Sequence, residues 1–350
     1  MPTLTEVSFH GRRIIKFGAV IIVFIVFGKI ALDLSINLYN QLNPPPPPPP
    51  TVAFGKLPAI NFPEQEEMAE ELSFKLETPT GTFPQAPDRA KVYFIPFARP
   101  NLLALDRAKQ DAASLGFKNE PEALSERRYK WVNTGDANTV LEMDIISGAF
   151  KLNYEWQSDP NILIERNLPG NEQAKLETEN FLKRIGYSDN DLIEGRMEVS
   201  YLKASIKDFI PAPSLSEANF VRVQIFRKDY DELPVLTANS EKGIVTIIYS
   251  GSGNYVKRIV FVDFNFFPIK EDSFATYPIK TPSAAWEELK AGKAYIANWN
   301  EKDKIVTIRR IYFAFYDSLE PQSFLQPIIV FEGDNDFFAY VSAVTSEWIK

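Results

Sequence analysis

The chain has 350 residues, 45% of them hydrophobic, which is enough for one large or two ordinary domains with real cores and excludes a disordered protein. A formal net charge of −8 with no basic run excludes a general nucleic-acid surface. No cysteine and a single histidine, His10, exclude thiolate, Ser-His-Asp and Cys-His catalysis and the usual zinc ligand sets, so no catalytic residue, cofactor or metal is expected. The absence of cysteine and of any N-x-S/T sequon suits a bacterial extracytoplasmic protein.

The most apolar stretch comes first. Residues 14–34 are apolar except for Lys16, Lys29 and Asp33, and 17–28 are uncharged. That core is shorter than the roughly 20 residues a span needs, but Lys16 and Lys29 lie near its ends, where long side chains snorkel. The following "GKIALDLSINLYNQL" offers no small-residue cleavage site, which favours an uncleaved signal anchor over a removed signal peptide. Arg12, Arg13 and Lys16 precede the span and Lys29 flanks its far end, so the positive-inside rule puts the N-terminus in the cytoplasm of a single-pass cell-membrane protein. Lys29 and Asp33, four residues apart, can pair with each other or with a neighbouring helix.

Seven prolines, Pro44 to Pro50, follow directly. In polyproline II, at about 3.1 Å per residue, they make a semi-rigid strut of roughly 22 Å that holds a folded domain off the membrane. "TVAFGKLPAINFP" beyond it is extended and proline-punctuated, a strap laid on that domain.

Two later segments align without a gap at an offset of 70 residues, "NLLALDRAKQDAASLGF" from Asn101 and "NEQAKLETENFLKRIGY" from Asn171. Leu105, Ala108, Ala112 and Leu115 share one helical face in the first; Ala174, Thr178, Phe181 and Ile185 do so in the second. Each opens on an Asn in N-cap position and closes on Gly116-Phe117 or Gly186-Tyr187, a glycine terminator with an aromatic behind it.

Strand patterns follow each helix. They are 127–133, 139–145 and 149–156, with a turn at Ser147-Gly148, and then "GRMEVSYLKA", "FVRVQIFRKDY", "GIVTIIYS" and "YVKRIVFVDFNFF". In the last, Val260, Val262, Phe264 and Phe266 share one face. A third helix is expected over 281–295, capped by Thr281 or Ser283, with Glu287 and Glu288 near its first turn and Gly292 as terminator. Three antiparallel strands, 304–318, 324–333 and 336–344, close the chain. The fold class is α+β: a cytoplasmic tail (1–13), a transmembrane anchor (14–36), a Pro-rich stalk (37–63) and helix-plus-antiparallel-sheet units at 64–165, 166–275 and 276–350.

The remaining candidate chemistry reads as turns. Asp229, Asp231 and Glu232 in "RKDYDELP", and Asp334 and Asp336 in "EGDNDFF", lie between strand patterns, where carboxylates bond local backbone. "SDNDLIEG" lacks the spacing of a calcium loop and reads as a plain loop. "SGSGN" reads as a hairpin turn, not a phosphate loop entering a helix. Most of the 27 Phe and 14 Tyr belong to the core, with a surplus able to form a binding face.

The last 70 residues, with "AAWEELKAG", "IRRIYFAFYDS", "FLQPIIVFEG" and "FFAYVSAV", resemble the carboxy-terminal region of the YycH/YycI family, and the upstream units resemble PepSY-type modules. The resemblance implies a single-pass extracytoplasmic protein that regulates a membrane sensor kinase. The expected activity is therefore non-enzymatic binding of an envelope protein or peptide through sheet edges or an aromatic face, with Tyr312 and Phe338 as candidate contacts. The alternatives are a ligand-free envelope scaffold and a carboxylate-dependent envelope hydrolase.

Overall fold

The computed structural model describes residues 17–18, 24–36, 38, 49–65, 72–96, 99–136, 138–188, 190–206, 208–300 and 304–350. The chain divides into a unit Met1–Pro49 and a unit Pro50–Lys350. In the first, residues 24–36 are helical and every side chain is exposed, among them Phe24, Phe27 and Leu34; Lys29 lies on this helix. Among the described residues, no helix is long and apolar enough to cross a membrane. Residues 14–16 and 19–23 of the expected anchor lie outside the described residues, as do Arg12, Arg13 and prolines 44–48.

The second unit holds two sheets. The larger has nine strands, all antiparallel, in the order Glu122–Ala123, Arg128–Val132, Thr139–Asp144, Phe150–Tyr154, Ile259–Phe264, Val245–Ser250, Phe220–Ile225, Met197–Ala204 and Phe209–Pro211. The strands after the first helix thus join those after the second in one continuous sheet. The seam pairs Leu152 with Val262 and Phe150 with Phe264, whose rings stack at 4.8 Å.

Helices Ala104–Ser114 and Asn171–Arg184 pack one face of this sheet. Ala108 and Ala112 of the first and Ala174, Phe181 and Leu182 of the second enter the core with Leu141, Leu152, Val223, Ile247 and Val262. Burying Phe181 and Leu182 contributes about 2–3 kcal/mol each. Both helices end alike. The amides of Phe117 and Gly116 donate to the carbonyls of Ala112 and Ala113, and those of Tyr187 and Gly186 to Leu182 and Lys183. Gly116 (φ +97°) and Gly186 (φ +88°) take the left-handed turn this requires.

Their starts differ from expectation. Asn101 lies ahead of the first helix, accepting from the Leu103 amide at 3.0 Å, while the N-cap of the second is Gly170. Asn171 is the first helical residue and its side chain accepts from the Tyr201 hydroxyl at 2.5 Å. "YVKRIVFVDFNFF" is also not strand throughout: Tyr255–Arg258 form a helical turn capped by Asn254, whose side chain accepts from the Val256 amide. Glu165 holds the preceding loop by accepting from Ser252 and the Gly253 amide.

The smaller sheet has the backbone order Ser73–Leu76, Ile305–Tyr316, Phe324–Gly333, Phe338–Ser342 and Tyr295–Asn298. The first pair is parallel and the remaining three antiparallel. Arg89–Phe94 bridges Lys270–Pro278 to the start of Phe324–Gly333. Helix Pro282–Lys290 covers one face with Ala285, Trp286 and Leu289. Thr281 caps it, accepting from the Ala284 amide at 3.2 Å, and Gly292 (φ +69°) ends it. Glu287 and Glu288 fall beyond the first turn, where they pair with Lys290 and Lys280.

The strap is laid on the other face. Leu57 is fully buried and exchanges backbone hydrogen bonds with Trp348 and Lys350. Phe62 stacks on Tyr295 at 4.8 Å and meets Tyr316 edge-on. Gln65 completes the cover by donating to and accepting from the backbone of Ile296, which occupies the Tyr295–Asn298 edge.

Candidate functional site

The strap leaves part of that face open. A groove of about 1140 Å³ lies there, with Arg310, Tyr312, Glu332 and Phe338 on the sheet side. Tyr312 pairs with Val330, and Phe338 with Glu332, so the two aromatic residues stand on adjoining rungs of one sheet face. Both are half-buried. Burial, with the nearby Glu332 carboxylate, pushes the Tyr312 hydroxyl up to about 12, so it remains a hydrogen-bond donor at neutral pH. Arg310 lies over its ring at 5.1 Å.

The opposite wall comes from the larger sheet. It is built of Glu194 to Glu198, the segment Phe226 to Asp229 and the loop carrying Ser240-Glu241. The turn at Glu232 closes the groove between the sheets and leads into Val235–Leu236, a short strand that pairs in parallel with Phe315 and Tyr316 of the smaller sheet. Gly195 is required by contact: a Cβ there would lie 2.0 Å from the Phe226 carbonyl oxygen. That close approach lets Arg196 lie over the Phe226 ring at 4.2 Å.

Arg227 lines the groove yet is itself fully buried. Its guanidinium donates to Asp191, to Asp317 at 2.8 Å and to the Phe267 carbonyl at 3.0 Å, and it lies 4.8 Å from the Phe266 ring. Burial pushes both carboxyl groups above their ordinary range, against the pull of the guanidinium they share. Asp317 directly follows a strand of the smaller sheet and Arg227 follows one of the larger, so this group ties the two sheets together behind the groove. "SDNDLIEG" is accordingly not a plain loop: Asn190–Ile193 is a helical turn that buries Asp191. Its signal was slight, since Asp191, Arg227 and Asp317 are far apart in the chain and each has polar neighbours.

The groove is acidic. Glu194, Glu198, Asp229, Glu232, Glu241, Glu332 and Asp336 line it, against Arg196, Lys228, Arg310 and the compensated Arg227. Arg196 pairs with Glu198 at 2.7 Å, Lys228 with Glu271 at 2.7 Å and Arg310 with Glu332 at 3.2 Å. Asp229, Glu232, Glu241 and Asp336 have no ion pair among the described residues, so the groove carries surplus negative charge.

Both acidic stretches are turns, as their sequences suggest. Asp231 and Glu232, and Asn335 and Asp336, have positive φ. Asp231 accepts from Lys91 at 2.6 Å and the Tyr93 hydroxyl at 2.8 Å, and Asp334 takes a two-pronged pair from Arg309.

No family model matches the chain, and no curated protein matches it by sequence. Among solved structures, an uncharacterized protein from Eubacterium rectale is similar over 74% of this chain and 84% of that chain, at 13% identity and a TM-score of 0.41. The YpeB C-terminal domain from Bacillus megaterium is similar over 71% of this chain and 95% of that chain, at 11% identity and a TM-score of 0.30.

Proposed function

We propose that the protein is a membrane-anchored, extracytoplasmic binding and regulatory protein of the bacterial envelope, without enzymatic activity, which engages a protein or peptide partner through the acidic groove. The observation that carries this reading is the combination, around one large groove, of half-buried Tyr312 and Phe338 with carboxylates that have no ion pair among the described residues. Aromatic anchors within a charged rim are what a selective protein contact uses. Strand addition at the Tyr295–Asn298 edge is disfavoured, because Gln65 already occupies the backbone of Ile296.

The anchor rests on residues 24–36, a helix with exposed apolar side chains, together with the charge asymmetry of Arg12, Arg13, Lys16 and Lys29. The PepSY-like and YycI-like readings rest on the order of helix then antiparallel strands in the second unit. Modulation of a membrane sensor belongs to the same proposal.

The hydrolase reading has one observation in its favour: Asp229, Glu232 and Asp336 line the same groove. All three are exposed, however, and a catalytic acid is normally tuned by burial that these side chains lack. The experiment is photocrosslinking in native membranes, with a photoreactive residue at Tyr312 or Phe338 and a control at exposed Leu176. Capture of one envelope protein from both groove positions, and not from the control, is the expected result. Self-adducts alone would replace this reading with the scaffold.

A further inference from the structure

A second cavity, of about 670 Å³, lies on the helix-covered face of the larger sheet. Its walls are the ends of the two matched helices: Leu115 to Lys118 from the first, and Glu177, Asn180, Phe181 and Arg184 from the second. Its floor is strand residues Thr139, Leu152, Tyr249 and Ile259. The volume falls within the range of small-molecule sites, and the lining is mostly apolar with a few convergent polar groups.

Three of those polar groups are in different states. Arg258 is fully committed: it makes a two-pronged pair with Glu177 at 2.8 and 3.0 Å and donates to the carbonyls of Asn167 and Ser250. Arg184 has no carboxylate partner among the described residues; its guanidinium lies 5.3 Å from the Phe181 ring and 4.9 Å from the Tyr255 ring. Thr139 is 3% exposed, and its hydroxyl has no hydrogen-bond partner among the described residues. An orphaned buried hydroxyl is uncommon and costs free energy unless something fills the site.

We infer that this cavity binds a small organic anion with an apolar body, a carboxylate or phosphate head meeting Arg184 and Thr139 and a hydrocarbon or aryl body lying among Phe117, Leu152, Phe181 and Ile259. Arg184 is held by two aromatic faces and keeps its planar fork free, the geometry that recognises such a head. Thr139 supplies a donor that needs an acceptor. Arg258 is a positioning residue, which holds the Glu177 side of the wall and neutralises its carboxylate so that the anion meets net positive charge. This site and the acidic groove are lined by different residues, and each stands or falls without the other.

The test uses the full-length chain in phosphatidylcholine nanodiscs, with equilibrium dialysis of decanoate, decyl phosphate and decanol. Saturable binding of at least one anion is expected, with decanol about tenfold weaker or worse, the scale of a lost charge-assisted hydrogen bond. Arg184→Gln brings the anion down to the level of decanol. Thr139→Val removes no existing hydrogen bond, so the free chain keeps its stability while anion binding weakens by about threefold or more. A stronger response to decanoate than to decyl phosphate identifies a carboxylate ligand, and the reverse a phosphate. The inference is overturned if the folded wild-type chain saturates with neither anion, if decanol binds as well, or if Arg184→Gln leaves binding unchanged.

Discussion

The two cavities of the second unit make opposite use of one acidic chain. In the groove on the smaller sheet, carboxylates outnumber free cations and aromatic side chains stand half-exposed on strands. In the cavity under the helix ends, Glu177 is neutralised by Arg258, while Arg184 and Lys118 have no carboxylate partner among the described residues. A net charge of −8 therefore says little about either site. Local pairing decides which charges are available, and the two sites suit partners of opposite sign.

The largest expected difference lies in the arginine behind each. Arg227→Met leaves Asp191 and Asp317 buried without a counterion and is expected to cost about 3–5 kcal/mol. Arg258→Gln breaks a pair nearer the solvent and two carbonyl contacts, for about 1–3 kcal/mol. Urea denaturation of both variants checks the order. A loss under about 1 kcal/mol for Arg227→Met would mean that the two sheets are not tied through this group.

Glycines at the two sites differ in kind. A Cβ at Gly195 meets the Phe226 carbonyl at 2.0 Å, so Gly195→Ala must shift backbone, at about 1–3 kcal/mol, and spread the groove wall. Gly116 has open space around it but sits at φ +97°, so Gly116→Ala costs about 1–2 kcal/mol by conformation alone. The sharper readout is function: Gly195→Ala lowers partner capture at Tyr312, whereas Gly116→Ala leaves that capture intact. Charge reversal in the groove, by Glu232→Lys with Asp336→Lys, lowers capture of a cationic partner by about tenfold at low salt and less at high salt. Equal capture at all salt concentrations would remove charge from the recognition.

Local signals were legible at just these places. Gly116, Gly186 and Gly292 marked three helix ends because a left-handed residue has a compositional cost that shows in the sequence. Alternation marked most strands of the larger sheet. What escaped was pairing at long range. Arg89–Phe94 ends two residues before Pro96, and Lys270–Pro278 begins with charged residues, so neither reads as strand until each is seen beside the other. The seam between Phe150–Tyr154 and Ile259–Phe264 spans more than a hundred residues and has no local signature. The site followed the same rule: Tyr312 and Phe338 stood out as aromatic strand residues, but the opposite wall of the groove and the buried Asp191, Arg227 and Asp317 depend on how the sheets meet.

The smallest expected effect separates two carboxylates whose pKa values shift the same way. Asp144, on the larger sheet, is partly desolvated, but the amides of Ser147 and Ile146 and the Arg127 guanidinium overcome that and hold its carboxyl below the usual range. Asp334, in the turn after a strand of the smaller sheet, is also held low, chiefly by its hydrogen bonds from Arg309, but its side chain is exposed. A carboxyl depressed in the folded state stabilises above its unfolded pKa, and that contribution is lost as pH falls through the folded value. Asp144→Asn is therefore expected to cost about 1 kcal/mol or less at pH 7, since asparagine still accepts from the turn amides, and the difference from wild type should shrink below the ordinary carboxylate range. Asp334→Asn should leave the urea midpoint nearly unmoved at any pH, because solvent and salt screen an exposed pair. If the two variants showed the same pH profile, backbone amides in the Asp144 turn would be contributing no more than a surface ion pair.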